Sequence, residues 1–512
     1  MQLGQHPRGA DSSASSPQSP GSPNQVLPVS QARALIKYHE ESLAWMHNVV
    51  HCPTFRDESE LFFETGHVVS PFWLPLYYTI LSTTLFLALP SVLSEYGIFN
   101  PEKLGEELYR KSIEALFAAN FMASHSLISV QTTCLLIHVG HNLGESDFIA
   151  TLMGSAIRIA QSLGLHRLGP DAPIVGVTDT NEISRRLIER EVQKRVWWFL
   201  IRQDWLQIPF LNTYTIHATQ FNTPMPNLCH DNPKDMIRDG SIVEQDVDTF
   251  TQSSYTSVHN HISVLIWKTQ DRLCSLGHPS KMVDGLRKLY EEVIIADSEL
   301  KKIMKRMPVF YREDNANLDV LPPHITQQRR VMLLSMCHKF LTIHRHFQVP
   351  SFKDPWFSFT KISCLSIARR CLQELFSLPN DEYTWIVRSM WTTSTHMVAA
   401  AVSLMFEELF TEEGESMIID RGEIESLVRQ CAHSLGEMCG RSEIARKGVS
   451  IIDSLLDLTQ DLRHNNAGQF DLEKIIRHVR EDAPAQTHLQ MDLAEIDLLE
   501  CLNWPCQGAS GR

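Results

Sequence analysis

Between Val68 and Leu93 the sequence VVSPFWLPLYYTILSTTLFLALPSVL contains no charged residue. A run of that length either crosses a bilayer or forms a helix buried on every side. Pro71, Pro75 and Pro90 break it, six Ser and Thr dilute it, and neither flank carries the Lys/Arg cluster that orients a membrane span. The expectation is a core helix, with no membrane partner.

A chain of 512 residues with 43% hydrophobic content has the material to surround such a helix. From about Pro28 to about Leu462 apolar residues recur at i, i+3, i+4 and i+7 while alternating runs are few, which predicts an all-α fold. Ala156, Ile159, Ala160 and Leu163 make one such stripe, and Gly164 suits the left-handed position just past a helix end. A loop bearing Gly and Pro follows, and Ile183 restarts a helix. Residues 224–248 and 308–324, rich in Pro, Asp and Asn, read as further loops. No repeat of fixed period is present. The organisation expected is a disordered Ser/Pro-rich leader over 1–30, a helical regulatory domain over 31–465 and an acidic-hydrophobic tail over 466–512.

A formal charge of −14 sets the chain against phosphate backbones and anionic lipid, so DNA is expected only indirectly, through a local patch or a partner. The eleven cysteines include no C-x-x-C pair, which fits reduced thiols in a nuclear or cytosolic compartment. The N-terminus lacks the apolar stretch of an ordinary secretory signal. G-x-G-x-x-G, Walker, G-x-S-x-G and H-E-x-x-H motifs are all missing, so no catalytic residue, metal site or cofactor is expected. His138 and His141 have helical spacing but no acidic or Cys ligand within a turn, and His344 and His346 would splay apart, so both pairs read as surface or satisfied core histidines. Cys364 and Cys371 share a helix face and read as buried free thiols.

The stretch EREVQKRVWWFLIRQDW, Glu189 to Trp205, sets dense charge directly against six apolar residues. Ile188, Val192, Val196 and Phe199 form one stripe, and the helix is apolar all round from Val196 to Ile201. It is expected to start at the surface with a charged outer face and then enter the core. Glu191, Arg195, Trp198 and Arg202 fall on a second face, which allows a Glu191–Arg195 pair and an Arg guanidinium over the Trp198 ring.

GSAIRIAQSLGLHRLGP (154–170), then a polar loop and ISRRLIEREVQKRVWWFLIRQD (183–204), resembles the central signature of the fungal-specific transcription factor domain. That signature is a helix of the type A-x-R-x-A-x-x-L-G-L-H-R, an acidic-basic run, R-R-x-W-W and a downstream Asp. Ala156, Arg158, Ala160, Leu163, Gly164, Leu165, His166, Arg167, Arg195, Trp197, Trp198 and Asp204 match, with Lys194 in place of the first Arg. YHEESLAWMHNVVHCPTF (38–55) resembles the family's opening helix, LLSMCHKFLTIHRHF (333–347) a later one with His346 where Pro is usual, and SEIARKGVSIIDSLL (442–456) its final helices. The G-R-P turn common after the Asp is replaced by IPFLNTYTI, and no six-cysteine zinc cluster precedes Tyr38.

The resemblance implies a helical regulatory domain in a nuclear transcriptional regulator, pathway-specific in type, for example of a secondary-metabolite gene cluster, with these signature residues structural. DNA recognition is then expected from a DNA-binding partner or a missing reader domain, and a homodimer is a further option. The alternative is a helical ligand-sensing or corepressor module without activation function. In the tail, MDLAEIDLLECLNW (491–504) interleaves its acids with Leu493, Ile496, Leu499 and Trp504 rather than sorting them onto faces. That mixing predicts a disordered activation segment whose apolar residues enter a coactivator groove.

Overall fold

The charge-free run becomes a helix enclosed on every side. In the computed structural model, which describes residues 26–277, 282–312, 321–322, 324–378, 381–411 and 417–465, α1 (Val29–Tyr38), α2 (Cys52–Thr65) and α3 (Trp73–Leu87) open the chain. Every residue of α3 except Leu74 is buried. Three of its hydroxyls turn onto backbone: Thr79 and Thr84 donate to the Pro75 and Ile80 carbonyls at 2.8 Å, and Ser82 donates to Gly105 O at 2.6 Å. The prolines bound this helix instead of breaking it. Pro75 lies in the first turn, where no intrahelical amide bond is lost, and Pro90 opens α4 (Pro90–Glu95). Among the described residues no helix is long and apolar enough to cross a membrane.

α5 (Pro101–Ala118) and α6 (Leu127–Gly140) pack on α3, and α7 (Ser146–Ser162) packs on α6. On α7 the stripe of Ala156, Ile159 and Ala160 is buried, as its period predicts. Leu163 is not: it lies past the last helical turn and is exposed, while Gly164 beyond it takes a φ of +80°. α8 (Thr180–Leu206) begins ahead of Ile183, because the Asp179 carboxylate accepts from Asn181 N–H at 3.0 Å and caps the helix.

After α9 (Ile208–Leu211) a long connection holds α10 (Pro233–Met236) and a small hairpin, β1 (Ile237–Arg238) with β2 (Ser241–Ile242), in antiparallel register Ile237 to Ile242. Asp239 and Gly240 both have positive φ, as a two-residue hairpin turn requires. α11 (Ser254–Leu276) then bridges α8 to α12 (Gly285–Arg306), and α13 (Val309–Arg312) leads to α14 (Ile325–Gln348). α15 (Pro350–Lys353), α16 (Ser358–Phe376), α17 (Glu382–Ser389), α18 (Trp391–Phe410), α19 (Arg421–Gly436) and α20 (Glu443–Asn465) follow, with α16 and α18 both against α14, and α20 against α18 and α19.

The late helices are tied to the early ones by polar contacts. Arg441 donates to Phe86 O at 2.8 Å, Trp385 Nε1 to Ala88 O at 3.1 Å, and Glu443 N–H to Asn142 O at 2.8 Å. Buried apolar side chains form one continuous cluster from Leu27 to Leu456. The fold is all-α, as the periodicity predicts.

Candidate functional site

Helix α8 is the centre of the signature block, and its charges are not where an amphipathic reading puts them. Glu191, Lys194 and Arg195 are buried along with Trp197 and Trp198. The expected charged outer face is real only before this point, where Arg185 and Arg186 pair with Glu182 at the surface. The buried charges are held because two loops, 165–179 and 207–232, fold over the helix and bring counter-charges with them.

The first loop is fastened through Asp171. Its carboxylate accepts from Lys194 Nζ and from Arg190 Nε, each at 2.9 Å. Burial opposes ionisation of Asp171, but the Lys194 and Arg190 donors hold it below the ordinary carboxylate range. Lys194 also meets Glu191 at 2.6 Å, and Arg190 donates to Leu168, Gly169 and Pro170 carbonyls.

The second loop is fastened by tryptophans and by Asp204. Trp198 Nε1 donates to Pro224 O and Trp205 Nε1 to Ile216 O, both at 2.8 Å. Phe221 sits among Trp197, Trp198 and Trp205, with ring centroids 5.9 to 6.2 Å away. Asp204 accepts from Thr215 N–H at 2.9 Å and Ile216 N–H at 2.7 Å. Burial raises its pKa, and those two amides work against the rise. Glu191 Oε1 accepts from Asn227 N–H at 2.8 Å, closing the same loop at its far end.

Arg195 does not form the expected close pair with Glu191, which stands off at 4.0 Å. It reaches Asp231 instead, at 2.7 Å, and also donates to Asn48 Oδ1 at 3.3 Å. Burial disfavours its charge, yet Asp231 and Glu191 carry its pKa above the ordinary arginine value. His51, which caps α2, donates from Nε2 to the Asp231 carbonyl at 2.7 Å, since its Nδ1 accepts from Thr54 N–H. The HCPTF segment and the central block, far apart in sequence, therefore meet at Asp231. Sequence reasoning missed Asp231, Asn48 and Asp171; each lies in a loop or turn, outside any periodic signal. The Arg202 guanidinium stacks on Phe199 at 5.2 Å and not on Trp198, whose ring is turned toward Phe221.

The remaining signature residues divide between core and surface. Leu165 is buried; His166 is half-buried, its ring 5.9 Å from that of Trp197; Arg158 and Arg167 are exposed. Leu493, Ile496, Leu499 and Trp504 lie outside the described residues. So does the whole 466–512 segment, and residues 1–25 of the leader.

Several histidines are buried in directed chains. Val49 N–H donates to His47 Nδ1 at 3.2 Å, so His47 Nε2 carries the proton and donates to His39 Nε2 at 2.9 Å. His39 Nδ1–H in turn donates to Thr84 Oγ1 at 3.2 Å. His344 is satisfied as expected, between Thr360 Oγ1 at 2.9 Å and Asp297 Oδ1 at 3.3 Å. His141 is buried and His138 half-buried, and neither is fully satisfied, as neither Nε2 has a hydrogen-bond partner. Cys364 and Cys371 are buried free thiols, as expected, and Cys371 contacts Cys337 on α14. Among the described residues no three His, Cys, Asp or Glu side chains are grouped to hold a metal.

No family model matches the chain. A protein named as the probable transcription factor lepB, from Aspergillus flavus, is 24% identical over 465 residues, covering 85% of this chain and 77% of its own. The agnestins biosynthesis cluster transcription factor AgnL11 of Paecilomyces divaricatus is 21% identical over 395 residues, or 75% of this chain and 55% of its own. The Zn(2)-C6 fungal-type transcription factor pigI of Monascus ruber is 20% identical over 349 residues, 65% of this chain and 39% of its own. The chain thus spans about three quarters of the first relative and about half or less of the other two. What this all-α chain is similar to, along most of its length, is a set of fungal transcription factors.

Proposed function

We propose that the chain is a fungal transcriptional regulator of the pathway-specific kind, for instance of a secondary-metabolite gene cluster, acting in the nucleus. The observation that supports this reading is the similarity to lepB along 85% of the chain. The name of AgnL11, which carries the words biosynthesis cluster, supports the pathway-specific part. The helical body over 31–465 serves as a regulatory domain that neither catalyses a reaction nor carries a cofactor. The 466–512 segment serves as the activation segment, presenting Leu493, Ile496, Leu499 and Trp504 to coactivators. With a net charge of −14 the chain reaches DNA indirectly, recognition coming from a DNA-binding partner or from sequence outside these 512 residues.

A fusion of the chain to a heterologous DNA-binding domain tests this in a reporter strain. The fusion is expected to activate, and Leu499→Ala with Trp504→Ala to abolish activation without lowering the melting temperature. A silent or repressed reporter points to the second reading, a ligand-sensing or corepressor module; the cavity beside α8 favours its ligand-sensing form.

A further inference from the structure

Three of the buried cations on α8 differ in one respect. Arg195 has Asp231, and Lys194 has Glu191 and Asp171. Arg202, equally buried, has no carboxylate within ion-pair distance among the described residues, and its one hydrogen bond runs from Nη1 to Asn260 Oδ1 at 2.8 Å. A buried guanidinium with a single neutral acceptor leaves most of its donors unanswered, a costly arrangement in a protein interior.

Arg202 lines a cavity of about 150 Å³ where α6, α8, α11, α14 and α18 meet. Apolar surface from Phe199, Phe210, Met390 and Trp391 forms much of the wall, and no Asp or Glu lines it among the described residues. The polar lining includes a second cation, Lys339, and several imidazole nitrogens without a hydrogen-bond partner. Neither ring nitrogen of His338 has a hydrogen bond, nor has His138 Nε2 or His396 Nδ1, although these atoms are all buried; His338 and His396 are buried as whole residues and His138 is half-buried. The rings of His338 and His396 stack at 4.4 Å, which fixes their orientation. Burial holds His138 at a pKa of about 4 and His338 and His396 well below the ordinary histidine value, so these rings are neutral near pH 7. Arg202 is lowered by burial to about 10 and stays charged. Gln207 and Thr392, which also line the cavity, are only half-buried, so it reaches toward the surface.

We infer that this cavity binds a small organic carboxylate with a ring-sized apolar body, the carboxylate on Arg202 and hydrogen-bonded by the neighbouring imidazoles. A space of this size accommodates a single aromatic ring. The apolar wall takes the body, for which inorganic phosphate has no counterpart, and the Arg202 guanidinium offers a carboxylate charge-assisted hydrogen bonds, with Lys339 a second cation on the lining. The site stands whether or not the tail activates transcription, since it rests on the described residues alone.

Calorimetric titration of the full chain with sodium benzoate, benzamide and inorganic phosphate tests the inference. Benzoate is expected to bind saturably, and benzamide, the neutral isostere, roughly ten- to a hundredfold more weakly, the range a charge-assisted hydrogen bond supplies. Arg202→Met should lose the preference for benzoate over benzamide. Should that variant not fold, Leu206→Trp fills the cavity while leaving Arg202 in place, and is expected to abolish benzoate binding. Equal binding of benzoate and benzamide, benzoate binding that survives Leu206→Trp, a preference for phosphate, or no saturable binding of benzoate would each overturn the proposal.

Discussion

Arg195 Nη1 lies 2.7 Å from Asp231 Oδ1, with both side chains buried beneath the loop that supplies the aspartate. An exposed pair of this kind contributes at most about 1 kcal/mol. A buried one behaves differently, because removing one member strands the other in a low dielectric. Arg195→Met is therefore expected to cost about 3–5 kcal/mol in urea unfolding. Arg195→Met combined with Asp231→Leu should recover much of that loss. A single-variant cost below about 1 kcal/mol would mean that water reaches the pair.

Trp197→Ala should cost about 3–5 kcal/mol, as expected for deleting a fully buried aromatic side chain. Trp198→Phe is the milder and more specific change. It keeps the ring against Phe221 but removes the donor to Pro224 O, for an expected loss of about 1–3 kcal/mol. Faster proteolysis near Pro224 should accompany it, since the 207–232 loop loses one of its anchors there. Unaltered cleavage there would show that the loop is held without Trp198.

Acid should unfold the protein through its buried histidines. Burial, with His138 adding repulsion, depresses His39 to about 3, and burial likewise carries His47 well below its ordinary value. The unfolded chain binds these protons near pH 6.5 while the folded one refuses them. Stability is thus fully present above about pH 6.5 and is lost as pH falls from there toward 3, by roughly 1.4 kcal/mol per pH unit for each such group. Urea midpoints measured from pH 8 to pH 5 should be flat and then fall. His39→Gln keeps an acceptor for His47 Nε2–H and should reduce the acid slope by about one proton. Midpoints independent of pH down to 5 would contradict the burial of neutral imidazoles.

Two glycines should respond to alanine with opposite sign. A Cβ at Gly140 would overlap the Ile149 side chain and crowd Tyr109 Oη, so Gly140→Ala is expected to cost about 1–3 kcal/mol. At Gly154, exposed within α7, a Cβ meets nothing within 4 Å. Gly154→Ala should stabilise by roughly 0.5–1 kcal/mol through helix propensity. Melting temperatures of the two variants check both signs.

The sequence by itself determined the helices and the inward face of most of them, because periodicity follows from the backbone repeat and needs no partner. α3 is buried all round because no charge sits in it, and Gly164 ends its segment because its φ of +80° suits glycine. The sequence also determined that Trp197 and Trp198 lie together on one turn. Tertiary structure alone decided what the charges of α8 do. Helical spacing placed Glu191 beside Arg195, but the loop carrying Asp231 comes closer than a side chain one turn away. The same holds for Arg202: its spacing pointed to Trp198, while packing turned it onto Phe199 and into a cavity shared by helices distant in sequence. A charge in a helix pattern reads as solvent-facing until a loop from elsewhere covers it, and the position of that loop is set by long-range closure that no local period encodes.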